Sequence, residues 1–330
     1  MAAPRVYVTR RIAEEALAML RQVADLRVWE GDAPPPRDAL LREVADVDGL
    51  LCLLTDQIDR GVLDAASRLR VVSTMAVGYN HIDVAAATER GIPVGYTPDV
   101  LTETTADFAW ALLMAAARRV VEGDAYTRAG KWGYWGPSVL LGHDVYGATL
   151  GVVGLGRIGL AMARRAKGFQ MRVLYHGRTR RPDLEQREGV EWAPDLLSLL
   201  RQADFVTLHV PLTPETHHLI GRRELASMKR TAVLVNTARG SVVDQRALHE
   251  ALRDRAIAAA ATDVAEVEPI PLDDPLLALD NVIITPHIAS ASVATRTRMA
   301  VLAVQNLLAG LRGEPMPSCV NPQAIRQSAP

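Results

Sequence analysis

The stretch from residue 148 to residue 182 constrains the fold of this chain more than any other. It reads ATLGVVGLGRIGLAMARRAKGFQMRVLYHGRTRRP. Its apolar runs and helical periodicity predict a strand, a helix and a second strand, at 149–153, 160–167 and 171–175. Gly154, Gly156 and Gly159 have GxGxxG spacing, which suits a tight turn, the close approach of a pyrophosphate, and close packing of the helix on the strand. The unit therefore predicts a dinucleotide-binding domain, with the phosphates at the helix N-terminus.

The end of the second predicted strand indicates which dinucleotide is bound. An NAD site usually carries Asp or Glu about 20 residues after the glycines, where it accepts from the ribose 2′-hydroxyl. No acidic residue lies between Gly154 and Pro182. A guanidinium donates bidentately to phosphate oxygens, so Arg178 and Arg180 are predicted to read a 2′-phosphate, with Thr179 as a hydroxyl donor. NADP(H) is then preferred and NAD(H) possible, and the alternative interpretation is a solvated basic loop.

The composition bounds the class of protein. With 330 residues, 49% of them hydrophobic, the chain has enough apolar side chains for two cores. A formal net charge of -1 gives no electrostatic reason to expect nucleic acid or a membrane as partner. Cys52 and Cys319 fit neither a metal-ligand spacing nor a disulfide framework, which indicates a reducing compartment. The longest apolar helical run, 108–117, is too short to span a bilayer and no signal peptide is evident, so we expect a cytoplasmic protein.

Strand-like and helix-like segments alternate along most of the chain. They do so through the first hundred residues and again from 149 to 285, which predicts an α/β fold with two doubly wound parallel sheets. A helix predicted over 292–312 should return to pack on the first domain. We therefore expect a first domain formed by residues 1–100 plus 290–330, and a Rossmann dinucleotide-binding domain, residues 101–289, inserted into it.

A long helix is predicted over residues 102–122, and an aromatic-rich arm follows at about 123–147. The arm contains Tyr126, Trp132, Tyr134, Trp135 and Tyr146, although the whole chain has only 7 Tyr, 5 Trp and 3 Phe. Aromatic residues are enriched in interface cores. We therefore expect a second copy of the chain to bury this arm in a homodimer, and the alternative is a solvated tether between domains.

Three polar residues follow predicted strands of the second domain. Arg239 comes after the strand AVLVNTA, Glu268 after IAAAATDV and its turn, and His287 after VIITP. Ligands of open parallel sheets bind beyond the carboxyl ends of the strands. An arginine can clamp a carboxylate, a histidine can deliver a proton, and a neighbouring glutamate favours the protonated imidazole. Each residue also has an ordinary interpretation: a turn arginine, one acid of the loop AEVEP, and a capped core histidine.

Eight stretches that cover nearly the whole chain carry a family resemblance. They are GLLCLLTDQID at 49, VVSTMAVGYNHID at 71, GIPVGYTPDVLTETTADFAWALL at 91, GVVGLGRIG at 151, VNTARGSVVD at 235, ATDVAEVEP at 261, TPHIAS at 285 and NLLAGLRGEPMPS at 306. The chain resembles the D-isomer-specific 2-hydroxyacid dehydrogenases, and most of all their glyoxylate reductase/hydroxypyruvate reductase branch. The resemblance implies an NAD(P)-dependent enzyme whose first domain is a flavodoxin-like substrate domain.

The resemblance also implies a reaction. Bound NADPH would donate hydride to C2 of glyoxylate or hydroxypyruvate, giving glycolate or D-glycerate. His287 would be the acid/base, Glu268 its partner, and Arg239 the anchor of the substrate carboxylate and carbonyl. Both substrates stay open, because a hydroxymethyl difference in a pocket is worth only about 1 to 3 kcal/mol.

Further contacts are implied residue by residue. Backbone amides at Val77 and Gly78 would hold the substrate carboxylate, and Leu53 would bound the pocket. Trp135 matches an arm tryptophan that reaches the neighbouring subunit's pocket, and Asp263 would orient the nicotinamide carboxamide. The other implied cofactor contacts are Thr105, Leu155, Gly156, Arg157, Ile158, Arg178, Thr179, Arg180, Pro211, Thr237, Ala238, Arg239, His287 and Ala289.

The chain departs from the family pattern at one position. The family usually has glycine where Ala289 stands, and a methyl group there could shift the backbone near the nicotinamide. Other D-2-hydroxyacid dehydrogenases and phosphite dehydrogenase remain alternatives, although the latter carries lysine where Val77 stands. A dinucleotide-sensing protein without turnover is an alternative of another class, and the complete triad and the basic loop argue against it.

Overall fold

The computed structural model describes residues 3–327, and these divide into two compact units. The first unit is formed by the described parts of Met1–Leu101 and Ala291–Pro330, and the second by Thr102–Ser290. Each unit is built on one sheet with helices packed against it. Two separate segments of the chain thus complete the first unit, whereas the second is continuous.

Strands and helices alternate through the N-terminal segment of the first unit. The elements are β1 (Arg5–Val8), α1 (Glu14–Arg21), β2 (Asp25–Val28), α2 (Arg37–Val44), β3 (Gly49–Cys52), α3 (Arg60–Ala65), β4 (Val71–Thr74), α4 (Val84–Glu89) and β5 (Val94–Gly95). Asp83 caps α4, since its side chain accepts from the amide of Ala86 at 2.8 Å. Sequence analysis did not predict α4, because its sequence VAAATE has one large apolar residue and therefore shows no helical periodicity.

The second unit continues the alternation. Its elements are α5 (Thr102–Ala117), α6 (Val120–Arg128), β6 (Thr149–Val153), α7 (Arg157–Ala166), β7 (Arg172–His176), α8 (Pro182–Glu188), β8 (Glu191–Trp192), α9 (Leu196–Gln202), β9 (Phe205–Leu208), α10 (Arg222–Ser227), β10 (Val233–Asn236), α11 (Gln245–Arg253), β11 (Ala259–Thr262) and β12 (Val282–Ile284). β6 has the predicted bounds, and α7 begins three residues before the predicted helix. The glycine turn is therefore shorter than the sequence pattern indicated.

The prediction of one continuous helix over 102–122 is wrong. Arg119 has a φ of 53°, a left-handed conformation that interrupts the helix between α5 and α6. The chain returns to this break, where the amide of His143 donates to the carbonyl oxygen of Ala117 at 2.8 Å. The predicted arm is consequently helical up to Arg128 and irregular beyond it.

Two helices after the second unit belong to the first unit. These are α12 (Val293–Arg312), capped by the Ser292 side chain, and α13 (Gln323–Gln327). α12 lies against β3 and β4. A β-carbon at Gly49 would come within 3.3 Å of the Leu307 side chain, and the Ser73 hydroxyl donates to the carbonyl oxygen of Ala303 at 2.8 Å.

Both sheets are parallel and doubly wound. The first has strand order β2-β1-β3-β4-β5, and the second has order β12-β11-β10-β9-β6-β7-β8. Every pair of neighbouring strands is parallel. These are the flavodoxin-like order and the Rossmann order with one added strand, so the predicted fold class is confirmed. The strand order reverses between β6 and β9, and this is where such a sheet binds its ligand.

The strand interiors are mostly apolar on both faces, as expected for parallel sheets that helices cover. All residues of β3, β9 and β10 are buried. In β10, Val233 and Val235 pack into one core cluster and Leu234 into the other, because side chains alternate across a strand. Among the described residues, no helix has the length and apolar character needed to cross a membrane.

Candidate active site

The GxGxxG segment forms the turn between β6 and α7. Gly154 has a φ of 94°, which glycine adopts without steric cost, and its amide donates to the His176 carbonyl oxygen at 2.8 Å. A β-carbon at position 159 would lie 2.1 Å from the Gly154 carbonyl oxygen, so α7 can approach the turn only with glycine there. A β-carbon at position 156 would meet no heavy atom within 4 Å. Gly156 therefore leaves open space beside the backbone, where a ligand can approach.

Two observations show that this edge of the sheet fits a dinucleotide. No side chain caps the N-terminus of α7 at Gly156, and its first turn has no acidic residue, so the helix dipole and its N-terminal amides suit a phosphate. Thr237 follows β10, and its buried Oγ1 has no hydrogen-bond partner among the described residues. Buried polar atoms are normally satisfied, so the orphaned hydroxyl is consistent with a ligand that would complete it.

The loop after β7 presents the predicted arginines, all of them exposed. Arg180 donates from Nε and Nη2 to the carboxylate of Glu185, at 2.9 and 2.7 Å. The Tyr175 hydroxyl donates to the same carboxylate at 2.7 Å. The charge of Arg178 reaches Glu215 in the loop after β9, and it adds to the hydrogen bond from Thr213 that lowers the Glu215 pKa. The loop is thus basic, but part of its charge is already paired.

His287 and Glu268 form a pair beyond the carboxyl ends of β11 and β12. His287 Nδ1 lies 2.8 Å from Glu268 Oε2, and both side chains are half-buried. Burial opposes ionisation of Glu268, but the hydrogen bond and charge of His287, the amide of Ala265 and the charge of Arg239 together hold the Glu268 pKa below its ordinary value. The carboxylate is therefore ionised at neutral pH and stabilises a protonated imidazole.

The structure separates the two glutamates of the AEVEP segment. Glu266 Oε1 lies 2.8 Å from His218 Nε2 and also accepts from the amide of Gln245 at 3.0 Å. Glu268 faces His287 instead. Of the two acids, Glu268 is thus the one placed beside the predicted acid/base.

Asp263 holds the turn that carries His287. Its carboxylate accepts from the amides of Ile288 and Ala289 at 2.9 and 2.7 Å, and from the Thr285 hydroxyl at 2.6 Å. His287 has a φ of 55° within this turn, a conformation that is rare for residues with a β-carbon and clusters at functional sites. Ala289 is buried and outside the left-handed region, so the methyl group does not by itself strain the backbone there.

Arg239 follows β10 and lies within the field of Glu268. Its guanidinium donates to the Ala238 carbonyl oxygen at 2.7 Å, and Asn236 fixes the Arg239 backbone by donating to its carbonyl oxygen at 2.9 Å. Burial lowers the Arg239 pKa, and the charge of Glu268 works against that shift. The structure therefore brings Arg239, Glu268 and His287 to one edge of the sheet.

Three predicted substrate contacts belong to the first unit. Leu53 follows β3, while Val77 and Gly78 follow β4, and all are half-buried at the carboxyl ends of their strands. The Leu53 amide donates to Asp56 Oδ2 at 2.7 Å. Asp56, 3% exposed, thereby holds the loop after β3 in place.

The remaining predicted residues occupy varied settings in the second unit. Thr105 is buried in α5, Pro211 is exposed after β9, and Trp135 is 81% exposed in the arm. Leu155 and Ala238 are buried beside the turns that carry them. No group of three His, Cys, Asp or Glu side chains within residues 3–327 could hold a metal ion.

Comparison with known proteins identifies the family. The model of the D-isomer specific 2-hydroxyacid dehydrogenase, NAD binding domain, matches residues 110–289. A glyoxylate reductase of Korarchaeum cryptofilum is 57% identical over 99% of this chain and 98% of its own length. The chain belongs to the D-isomer specific 2-hydroxyacid dehydrogenases. A glyoxylate reductase of Thermococcus gammatolerans is 51% identical over 99% and 98% of the two chains.

A solved structure of this dehydrogenase family covers the whole chain. The NADPH-dependent glyoxylate/hydroxypyruvate reductase of Sinorhizobium meliloti, in complex with NADP and malonate, is 35% identical over 100% of both chains, with a TM-score of 0.86. The resemblance predicted from the sequence motifs is thereby confirmed. The protein is an oxidoreductase with an NAD-binding domain.

Sequence reasoning did not single out several residues that contact the predicted site residues. Glu185 binds Arg180, Thr285 binds Asp263, and Asp56 binds the Leu53 amide. An acid five residues after Arg180 in RTRRPDLEQ was the available signal for Glu185. Thr285 and Asp263 are 22 residues apart in the chain, and no motif marked the local contact of Asp56 with the Leu53 amide.

Proposed function

We propose that this dehydrogenase uses NADPH to reduce small 2-keto acids, glyoxylate to glycolate and hydroxypyruvate to D-glycerate. The observation that carries the proposal is the 2.8 Å pair of His287 Nδ1 and Glu268 Oε2, at the same sheet edge as the glycine turn. The glyoxylate reductases at 57% and 51% identity support the substrate class.

His287 supplies the proton in this proposal. The nicotinamide, when bound, supplies the hydride that reduces C2 of the keto acid. Glu268 engages Nδ1, which leaves Nε2 of the imidazolium to protonate the carbonyl oxygen. The ionised Glu268 stabilises the imidazolium before the transfer.

Arg239 anchors the substrate in this proposal. Its guanidinium binds the acid group and stabilises the charge that gathers on the carbonyl oxygen. Backbone amides at Val77 and Gly78 bind the substrate carboxylate, and Leu53 bounds the pocket. The half-buried setting of these residues supports the roles.

The proposed cofactor is NADP(H), with NAD(H) as a weaker substitute. The 2′-phosphate is bound by Arg178 and Thr179, with Arg180 as a second cation, and the pyrophosphate lies against the N-terminus of α7. The proposed contacts on the sheet edge are Thr105, Leu155, Gly156, Arg157, Ile158, Pro211, Thr237, Ala238, Arg239, Asp263, His287 and Ala289. The S. meliloti relative in complex with NADP supports this choice.

The proposed assembly is a homodimer joined by the arm. Trp132, Tyr134 and Trp135 are 68%, 80% and 81% exposed in the single chain, and a second copy would bury them, with Trp135 reaching the partner's substrate. Light scattering should then give twice the chain mass of 35.8 kDa. Trp132→Ser should shift the protein toward monomer, and a monomeric wild type would contradict the dimer.

The test of this function is kcat/KM for NADPH and NADH, with glyoxylate and then hydroxypyruvate. We expect turnover of both acids and a preference for NADPH of about 100-fold, or about 2.7 kcal/mol. Arg178→Asp should erase or reverse that preference, because it puts a negative charge opposite the 2′-phosphate. Equal use of both cofactors would refute the NADPH assignment, and tight cofactor binding without turnover would favour a sensor.

A further inference from the structure

The arginines of the loop after β7 differ in what surrounds them. Arg178 makes no hydrogen bond or ion pair within residues 3–327, although its field reaches Glu215. Arg180 is held by both oxygens of Glu185, at 2.9 and 2.7 Å. A guanidinium that already pairs with a carboxylate offers a phosphate much less attraction, because the two charges nearly cancel.

Glu185 is fixed by the strand as well as by Arg180. The Tyr175 hydroxyl donates to Glu185 Oε1 at 2.7 Å and accepts from the Arg181 amide at 2.7 Å. Tyr175 itself is fully buried in β7. The hydrogen bonds from Arg180 and Tyr175 lower the Glu185 pKa to about 2. The carboxylate is therefore a permanent negative charge on α8, beside the basic loop.

We propose that Glu185 is a specificity-determining residue that limits the preference of this dehydrogenase for a 2′-phosphate. Its carboxylate competes with the phosphate for Arg180 and repels the phosphate charge, which leaves Arg178 as the principal reader. The inference rests on the proposed use of NADP(H). It predicts that the wild-type protein prefers NADPH over NADH less strongly than it would if Arg180 were not paired with Glu185.

The test compares two cofactor fragments by calorimetric titration of the protein without cofactor. Adenosine 2′,5′-bisphosphate carries the 2′-phosphate, and adenosine 5′-monophosphate lacks it. Glu185→Gln should tighten the bisphosphate by about 5- to 10-fold and leave the monophosphate within about twofold. The gain should shrink in about 0.5 M salt, since exposed charges are screened. If Glu185 had a purely structural role, its substitution would change the affinity for both fragments or for neither.

Glu188→Gln is the matched control, because it removes the same charge from the same helix. The Glu188 carboxylate binds Arg164 and Lys167, at 2.8 and 2.9 Å, and neither belongs to the basic loop. The bisphosphate affinity of this variant should stay within about twofold of the wild type. An equal gain in both variants would mean that net charge alone acts, and would overturn the inference.

The double variant Arg180→Gln/Glu185→Gln keeps the inference testable if Glu185→Gln alone folds poorly. Because it removes a pair whose charges cancel, it should bind the bisphosphate within about threefold of the wild type. A loss of about 10-fold or more would show that Arg180 reads the phosphate directly, and would overturn the inference. A wild type that binds both fragments equally would overturn the NADPH preference and this inference together. If the wild type prefers the bisphosphate but Glu185→Gln binds both fragments as the wild type does, this inference alone is overturned.

Discussion

Glu266 and Glu268 stand two residues apart, yet each pairs with a different histidine. The Glu268 pKa is lowered from its ordinary 4.5. A carboxylate with a lowered pKa takes up its proton only as the pH falls through that lowered value, so Glu268 stays ionised throughout the neutral range. Of the two glutamates, Glu268 is the one that contacts His287, the proposed proton donor.

At this scale the prediction concerns Glu268→Gln. The amide cannot stabilise the imidazolium, so kcat/KM for keto-acid reduction should fall by about 100-fold or more. Glu266→Gln is the matched control and should stay within about threefold. Steady-state rates of both variants across pH 5 to 9 would test this prediction. Similar losses in Glu268→Gln and Glu266→Gln would contradict the assignment of Glu268.

The turn between β6 and α7 shows how one element depends on the absence of a side chain. A β-carbon at position 159 would lie 2.1 Å from the Gly154 carbonyl oxygen, and a backbone atom cannot rotate away as a side chain could. The N-terminus of α7 would have to move, and the proposed pyrophosphate site would move with it.

At the scale of this element we predict that Gly159→Ala destabilises the fold by about 1 to 3 kcal/mol and weakens cofactor binding by 10-fold or more. Gly168→Ala serves as control, because a β-carbon there meets nothing within 4 Å, and it should change neither quantity appreciably. Urea unfolding and calorimetric titration would measure the two effects. Normal cofactor affinity in Gly159→Ala would show that the turn tolerates the displacement.

Helices and strands were predictable from the sequence where a local residue pattern determines them. The glycine spacing and the apolar run of β6 predicted the strand–turn–helix. The apolar runs of β6 and β10 also indicated the parallel sheet. The break at Arg119 was not predictable, because the contact that accompanies it, between Ala117 and His143, joins residues 26 apart in the chain. In the candidate site, spacing placed Arg239, Glu268 and His287 after strands, but could not foresee the pair of Glu185 with Arg180.

The whole molecule is assembled so that its C-terminal segment completes the first unit. Asn321, 1% exposed, accepts from the Val94 amide at 2.7 Å and donates to the Ile92 carbonyl oxygen at 3.0 Å and the Thr88 hydroxyl at 2.8 Å. One side chain from the end of the chain thus satisfies backbone groups at the edge strand β5.

At this scale Asn321→Ala should cost about 1 to 3 kcal/mol, because it leaves buried backbone groups unsatisfied. Hydrogen exchange should accelerate in the first unit, around β4 and β5, and stay unchanged around β6 and β10. Asn281→Ala is the counterpart in the second unit, because Asn281 donates to the Leu252 and Ala258 carbonyl oxygens at 3.1 Å. In this variant hydrogen exchange should accelerate in the second unit instead. Acceleration spread evenly over both units would contradict their separate cores.

The covering of β3 and β4 by α12 has a consequence for synthesis on the ribosome. The N-terminal segment of the first unit emerges first, but α12 follows only after the roughly 190 residues of the second unit. At about 5 to 20 residues per second, this wait is about 10 to 40 s. During this wait, the apolar face of β3 and β4 that α12 covers is exposed in the nascent chain. The second unit, which is continuous, can already fold. Proteolysis of stalled nascent chains should therefore cleave the first hundred residues before the second unit, and chaperones should engage the same segment.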